Sequence, residues 1–399
     1  VSRQAFLING IRLGTACAGI RQTERDDLAV IEITEDSRLA AVFTQNRFCA
    51  APVMIARTHL HQEEPQWLLI NSGNANAGTG SQGYEDCLQT CQLLADKTGV
   101  HKEAVLPFST GVIGERLDVE KFARAIPSAL ENLDPYGWEK AARAIMTTDT
   151  QPKLASATCT IEGQTVSVLG IAKGAGMIRP DMATMLAYVA TDAAIEKELL
   201  DQWLHEAVDK SFNRITVDGD TSTNDACVLI STGCSGIQVD DLEKERQDEV
   251  QQAIEQVFLE LAQAIVRDGE GATKFITIEV GGGASSDECL QVAYTIAHSP
   301  LVKTAFFASD PNWGRLLAAI GRSGIDDLAI TKVSIRLGDV SLIENGEPAR
   351  DYTEEQGAAV MQQDEITVHV DLGRGEELET LWTCDLSYDY VRINAEYRT

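Results

Sequence analysis

The densest concentration of chemistry-bearing residues is Lys173-Gly174-Ala175-Gly176-Met177-Ile178-Arg179-Pro180-Asp181-Met182-Ala183-Thr184-Met185-Leu186. A glycine-rich loop with a lysine, an arginine and a proline runs there into an apolar strand, residues 185–190. Glycines let the backbone turn sharply and let other groups approach closely. A hydroxyl where such a loop meets a strand is held on a rigid element, as a nucleophile requires. The order does not fit a phosphate-binding loop, because Lys173 precedes the glycines where the Walker pattern needs its lysine after them. A plain glycine-rich loop without chemistry stays open on these residues alone. The sequence has no GxSxG, and no Ser-His-Asp set can be picked out. A hydroxyl nucleophile without a histidine needs another base. An N-terminal threonine supplies one, since its own α-amino group, with a pKa of about 8, takes the hydroxyl proton. An internal threonine has no such amine, so the chain must first be cut before it.

Further polar clusters stand elsewhere. Pro107-Phe108-Ser109-Thr110-Gly111-Val112-Ile113-Gly114 can point a backbone N–H and a threonine hydroxyl into one spot, as an oxyanion hole needs. A tight structural turn is the alternative. Asn71-Ser72-Gly73-Asn74-Ala75-Asn76-Ala77-Gly78 follows an apolar strand and reads equally as a ligand-facing loop or a structural turn. Asp218-Gly219-Asp220-Thr221-Ser222-Thr223-Asn224-Asp225 mimics part of a calcium loop but lacks the spaced glycine and final glutamate, so no metal is expected there. Asp310-Pro311-Asn312-Trp313-Gly314-Arg315 is a last cluster with no chemistry assigned. The 6 histidines are dispersed, with His59 and His61 alternating as on a strand. The 9 cysteines are scattered; Cys87 and Cys91 lie one helical turn apart without a CxxC pair or nearby histidine. Buried free thiols are expected.

The elements that must position these groups follow from periodicity. Val250, Ala253, Ile254, Val257, Phe258, Leu261, Ala262 and Ile265 share one helical face within residues 240–266, and Gly269 closes the run. Further helices are predicted over 84–98, 118–126 with Asp118 as N-cap, 136–147, 193–210 and 285–297. Strands are predicted at 28–33, 40–43, 67–70, 156–161, 166–169, 186–190, 226–230, 275–280, 332–337 and 366–370. Glu162-Gly163-Gln164 reads as a hairpin turn. Strands and helices cluster rather than alternate, which favours α+β layers over a doubly wound parallel sheet. Gly281-Gly282-Gly283 is the hinge candidate, dividing a larger catalytic part, 1–280, from a smaller one, 281–399.

At 399 residues, 44% apolar and 24% charged, the chain has ample material for a core. Its net charge of −28 repels nucleic-acid phosphates and anionic membranes, and no basic run offsets that locally. No apolar stretch approaches the roughly 20 residues a bilayer span needs. The start lacks an initiator Met, so a few residues are expected upstream, and residues 1–12 lack the regions of a signal peptide. The cytoplasm is the expected compartment.

Residues 173–192, KGAGMIRPDMATMLAYVATD, resemble the self-processing site of the ornithine acetyltransferase (glutamate N-acetyltransferase, ArgJ) family. The resemblance continues in 71–78, 109–114, MTTDTQPK at 146–153 and FNRITVDGDTSTNDA at 212–226. It extends through RDGEGATK at 267–274, SDPNWGRLLAAIGRSG at 309–324 and the final YVRINAEYRT, in family order over nearly the whole chain. It implies that Thr184 attacks the carbonyl of Ala183, giving an ester that hydrolyses to an α chain, 1–183, and a β chain, 184–399. The freed Thr184 then takes an acetyl group from N2-acetyl-ornithine and passes it to glutamate by a ping-pong route, with no cofactor.

Thr110 and Gly111 match the family's oxyanion hole. Thr147, Lys173, Thr184, Glu270, Asn394 and Thr399 match its substrate contacts, Thr147 less securely because Thr148 and Thr150 lie beside it. Lys173 would pair with the substrate α-carboxylate and Glu270 with its δ-amino group. Asn394 and Thr399 imply that the C-terminal tail returns to the active site. Ala175 and Arg179-Pro180-Asp181 are positions of expected variation that bear on substrate preference. The implied fold is a layered αββα sandwich, shared with self-processing aminopeptidases of the DmpA type, with a smaller C-terminal α/β domain. The implied assembly is α2β2, and acetyl-CoA stays open as a second donor. Two rivals remain: an aminopeptidase or amidase on the same fold, where water takes the acyl group, and a binding protein that would stay one intact chain.

Overall fold

The computed structural model describes residues 7–21, 24–179 and 185–396. The chain divides into two compact units, residues 1–213 with 220–265 and residues 214–219 with 266–399.

The first unit contains β1 (Ile11–Ala16), β2 (Leu28–Ile33), β3 (Arg38–Phe43), β4 (Trp67–Asn74), β5 (Val105–Val112), β6 (Lys153–Ile161), β7 (Gln164–Lys173), β8 (Leu186–Thr191) and β9 (Ala226–Ser231). Its helices are α1 (Ala51–Gln62), α2 (Gly80–Thr98), α3 (Val119–Glu131), α4 (Trp138–Ala144), α5 (Lys197–Lys210) and α6 (Lys244–Arg267). The strands form two sheets, ordered β1-β2-β4-β5 and β3-β9-β8-β7-β6. Alternation along each strand sends every second side chain to one face. Ile31, Ile70, Leu106 and Phe108 of the first sheet thereby join Leu169, Ile171, Tyr188 and Val228 of the second in one buried core.

The outer face of the first sheet carries Leu28, Val30, Leu69 and Val105, covered by Ile55 of α1, Cys87, Cys91 and Leu94 of α2, and Phe122 and Ile126 of α3. On the outer face of the second sheet, Gly170 faces Val257 and Leu261 of α6; a Cβ there would come within 2.9 Å of Leu261. The order helix, sheet, sheet, helix is the expected αββα sandwich. The predicted hairpin joins β6 to β7, with Ile161 opposite Gln164. Asp118 caps α3 by accepting from the Glu120 N–H at 3.2 Å.

The second unit contains β10 (Phe275–Gly283), β11 (Ser334–Leu337), β12 (Val340–Glu344), β13 (Glu347–Pro348), β14 (Glu365–Asp371) and β15 (Glu377–Cys384). Its helices are α7 (Ser286–Ala297), α8 (Pro300–Phe307), α9 (Trp313–Gly321), α10 (Glu354–Met361) and α11 (Tyr388–Ala395). The strands form one sheet ordered β13-β12-β11-β14-β10-β15. One face, through Ile278, Val368 and Leu381, packs on Val292 and Ile296 of α7, Phe306 of α8 and Ile320 of α9. Gly281-Gly282-Gly283 closes β10, a strand bonded to β14 on one side and β15 on the other. The boundary between the units therefore falls upstream of the triple glycine.

One local expectation is corrected. His59 and His61 lie on helix α1, not on a strand. The buried positions Ala51, Pro52, Val53, Ile55, Ala56 and His59 follow helical spacing, and Pro52 sits in the first turn, where its missing N–H costs nothing. The His59 ring Nδ1 donates to the Val105 carbonyl at 2.8 Å, a buried structural contact.

Candidate functional site

In the first unit the site begins where β4 and β5 end side by side. They pair in parallel, Ser72 opposite Thr110 and Gly73 opposite Gly111. Gly111 takes φ +134°, and a Cβ there would lie 2.3 Å from the Gly73 carbonyl carbon, so only glycine fits. Side chains hold these ends in place. Ser109 Oγ donates to Asn71 Oδ1 at 2.6 Å. Asn224 Nδ2 donates to the carbonyls of Ala75 at 2.6 Å and Ser109 at 2.9 Å. The segment 71–78 is thus largely a buried polar brace under Thr110. Asn71, Ser72, Asn74 and Asn76 are all buried.

The second sheet contributes Lys173, the last residue of β7. Its ammonium donates to Thr110 Oγ1 at 3.2 Å. Lys173 is 8% exposed. Burial lowers its pKa, and the facing Asp149 opposes that shift.

Asp149 is a residue the sequence reasoning did not single out. Its Oδ1 accepts from Lys153 Nζ at 2.6 Å and from the Gly174 N–H at 2.7 Å. Its Oδ2 accepts from the Thr147 N–H at 2.9 Å. Burial alone would raise its pKa, but Lys173, Lys153 and the Gly174 N–H outweigh that and hold it well below the usual carboxylate range. One carboxylate thus ties the MTTDTQPK segment to the residue after Lys173. Asp149 and Lys153 are four apart, the one signal in the sequence for their pairing.

The strand register carries the site further. Lys173 pairs with Leu186 of β8, and Leu186 pairs with Ala226 of β9. The Ala226 N–H donates to the Met185 carbonyl at 2.9 Å. Asp225, the last residue of the cluster that mimics part of a calcium loop, is buried beside this point. Burial pushes its carboxyl well above the usual range, with Ser222 and Lys173 opposing. Ala183 and Thr184 lie outside the described residues.

In the second unit, Asn394 Nδ2 donates to Glu270 Oε2 at 2.7 Å, bringing together two of the residues matched by resemblance. Ser387 caps α11 and donates to the Gly271 carbonyl at 2.6 Å. Tyr390 donates to Asp218 at 3.2 Å. The last helix is therefore pinned to the RDGEGATK loop. Thr399 lies outside the described residues. Asn312 caps α9, accepting from the Arg315 N–H at 3.2 Å, which makes the Asp310–Arg315 cluster a helix start. No group of three or more His, Cys, Asp or Glu is arranged to hold a metal ion among the described residues.

A model of the ArgJ family matches residues 12–399. The arginine biosynthesis bifunctional protein ArgJ of Methylococcus capsulatus is 59% identical over 392 residues, covering 98% of this chain and 96% of that protein. The protein of the same name from Pseudomonas fluorescens is 54% identical over 393 residues, covering 98% and 97%. Among solved structures, the arginine biosynthesis bifunctional protein ArgJ of Bacillus halodurans matches at 41% identity with a TM-score of 0.49, covering 53% of this chain and 98% of that one.

Proposed function

Because this chain belongs to the ArgJ family, we propose that it is an acetyltransferase of arginine biosynthesis, moving the acetyl group of N2-acetyl-L-ornithine to L-glutamate. The chain first cuts itself between Ala183 and Thr184. The Thr184 hydroxyl oxygen bonds to the Ala183 carbonyl carbon, the peptide C–N bond breaks, and water hydrolyses the resulting ester. In the processed enzyme, the α-amino group of Thr184 takes the hydroxyl proton as the oxygen attacks the acetyl carbonyl, and the proton then leaves with ornithine. Glutamate's amine attacks the acetyl ester and restores Thr184. Acetyl-CoA is a second donor to the same hydroxyl.

The contact between Lys173 Nζ and Thr110 Oγ1 at 3.2 Å carries this reading. It joins a buried cation to a hydroxyl donor beside the Gly111 N–H. Such a grouping receives the carboxylate of an N-acetyl amino acid and stabilises the oxyanion that forms on its acetyl oxygen when the nucleophile adds. Thr110 and Gly111 accordingly hold the oxyanion, and Lys173 takes the α-carboxylate. Glu270, oriented by Asn394, takes the δ-ammonium; Thr147 and Thr399 complete the substrate contacts. The fragments 1–183 and 184–399 stay together, associate as α2β2 and work in the cytoplasm.

The test begins with a denaturing gel and N-terminal sequencing of the wild type and Thr184→Ala. Two wild-type fragments, one starting Thr-Met-Leu-Ala-Tyr, and an intact variant are expected. Transfer of labelled acetyl from N-acetylornithine to glutamate must then follow. An intact wild type, or release of free acetate without transfer, would overturn the reading.

A further inference from the structure

Glu270 lies in the loop 268–274, which is neither helix nor strand. A backbone bond from the Ala272 N–H to the Gly269 carbonyl at 2.9 Å closes the turn around it. One turn bond does not aim a side chain, so the direction of the Glu270 carboxylate depends on what grips the loop from outside. Asn394 bonds the carboxylate itself. The loop behind it is gripped by Asp385, which is 2% exposed. Asp385 Oδ1 accepts from the N–H groups of Thr273 at 2.8 Å and Lys274 at 2.9 Å. Its Oδ2 accepts from the Thr273 hydroxyl at 2.6 Å. The ladder of β10 and β15 ends with Phe275 opposite Cys384, and the carboxylate takes up the loop where the two strands part.

The base of this grip is itself fixed. Lys303 of α8, 5% exposed, donates to the Cys384 carbonyl and to Thr383 Oγ1, the latter at 3.1 Å. Two residues after Asp385, Ser387 holds the Gly271 carbonyl. A Cβ on Gly271 would lie 2.5 Å from the Tyr390 nitrogen, so the turn rests directly on the start of α11. One short segment, 385–387, therefore holds the loop at positions 271, 273 and 274, immediately after Glu270.

We propose that Asp385 is a positioning residue for donor recognition: its carboxylate fixes the loop that aims Glu270 at the cationic end of the substrate. The inference rests on the reading above in which Glu270 takes the δ-ammonium. Asp385 acts through its three accepted hydrogen bonds, and what it conveys to the substrate is the place of Glu270. An asparagine can keep this geometry, since its oxygen accepts both N–H groups and its amide donates to the Thr273 oxygen.

The test measures kcat/KM for each substrate, because in a ping-pong route that ratio reports each substrate's own half-reaction. In Asp385→Ala the value for N-acetylornithine should fall at least about tenfold, with glutamate within about twofold. Asp385→Asn should recover most of that loss. In a Glu270→Gln background, adding Asp385→Ala should cost no more, because the residue it positions is already disabled. Equal falls for both substrates, unchanged values, full additivity in the double variant, or an asparagine as poor as alanine would each overturn the assignment. Thr273→Val removes only the hydroxyl bond and decides the matter if Asp385→Ala does not unfold cooperatively. A fall of about threefold for N-acetylornithine alone then supports the role, and unchanged values overturn it. Failure of the underlying reading shows separately, as a Glu270→Gln variant that uses N-acetylornithine as well as the wild type does.

Discussion

The carboxylate of Asp149 meets the ammonium of Lys153 at 2.6 Å, with the two side chains 0% and 1% exposed. Removing one partner of such a pair takes away the countercharge that the other faces in a medium that solvates it poorly, which costs about 3–5 kcal/mol. Asp149→Asn should therefore lower stability by that order in urea unfolding. The double variant Asp149→Asn/Lys153→Met should recover part of the loss. A single variant as stable as wild type would contradict the ion-pair account.

The same residue sets a pH dependence. Its folded pKa lies below the unfolded value of about 3.9. A depressed carboxylate contributes stability that is fully present above the unfolded value and is lost as pH falls towards the folded one. Unfolding free energy should decline as pH drops from about 4, and less steeply in Asp149→Asn. Parallel curves for the two proteins would remove Asp149 as the cause.

Thr110→Ala removes the hydroxyl that Lys173 contacts and, on the proposed function, one oxyanion donor. Loss of one such donor costs about 100-fold in kcat. The expected outcome is a drop of that size in acetyl transfer with an unchanged melting temperature.

Gly111→Ala should damage both fold and activity. The added carbon meets the Gly73 backbone at 2.3 Å, and φ +134° is a conformation L side chains rarely adopt. A destabilisation of about 2–3 kcal/mol is expected, read as a lower urea midpoint. An alanine variant of native stability would mean that the β4 and β5 ends separate without cost.

In the second unit, Asn394→Ala removes the donor that orients Glu270. The KM for N-acetylornithine should rise about tenfold, since a hydrogen bond to a charged group contributes about 1.5–3 kcal/mol. Glutamate carries no δ-ammonium, so its KM should move less. Equal changes for both substrates would separate Asn394 from substrate recognition.

Sequence patterns read some parts of this molecule better than others. Strands β7, β8 and β9 announce themselves because both sheet faces are covered and their apolar runs are nearly continuous. The long helix α6 shows because its apolar stripe repeats over many turns. Helix α1 was hidden by two histidines, since alternation over three residues does not separate the periods of strand and helix. Thr110, Gly111 and Lys173 were legible as a motif. Asp149 was not, because an aspartate in a threonine-rich turn looks like solvated surface, and Asp225 stood out only as the end of a cluster that mimics a calcium loop. Only packing reveals that each is enclosed.

Phe108 and Tyr188 meet edge to face, ring centroids 5.2 Å apart, one from each sheet. Phe108 lies two residues before Thr110, and Tyr188 pairs with Ile171, two residues before Lys173. By strand alternation the aromatic pair is the layer directly beneath the Lys173 and Thr110 contact. The rings therefore act as a spacer that sets the gap between the hydroxyl and the ammonium. A thinner residue at Phe108 would draw the sheets together and alter that gap, so activity can drift through the oily interior while every polar group stays in place.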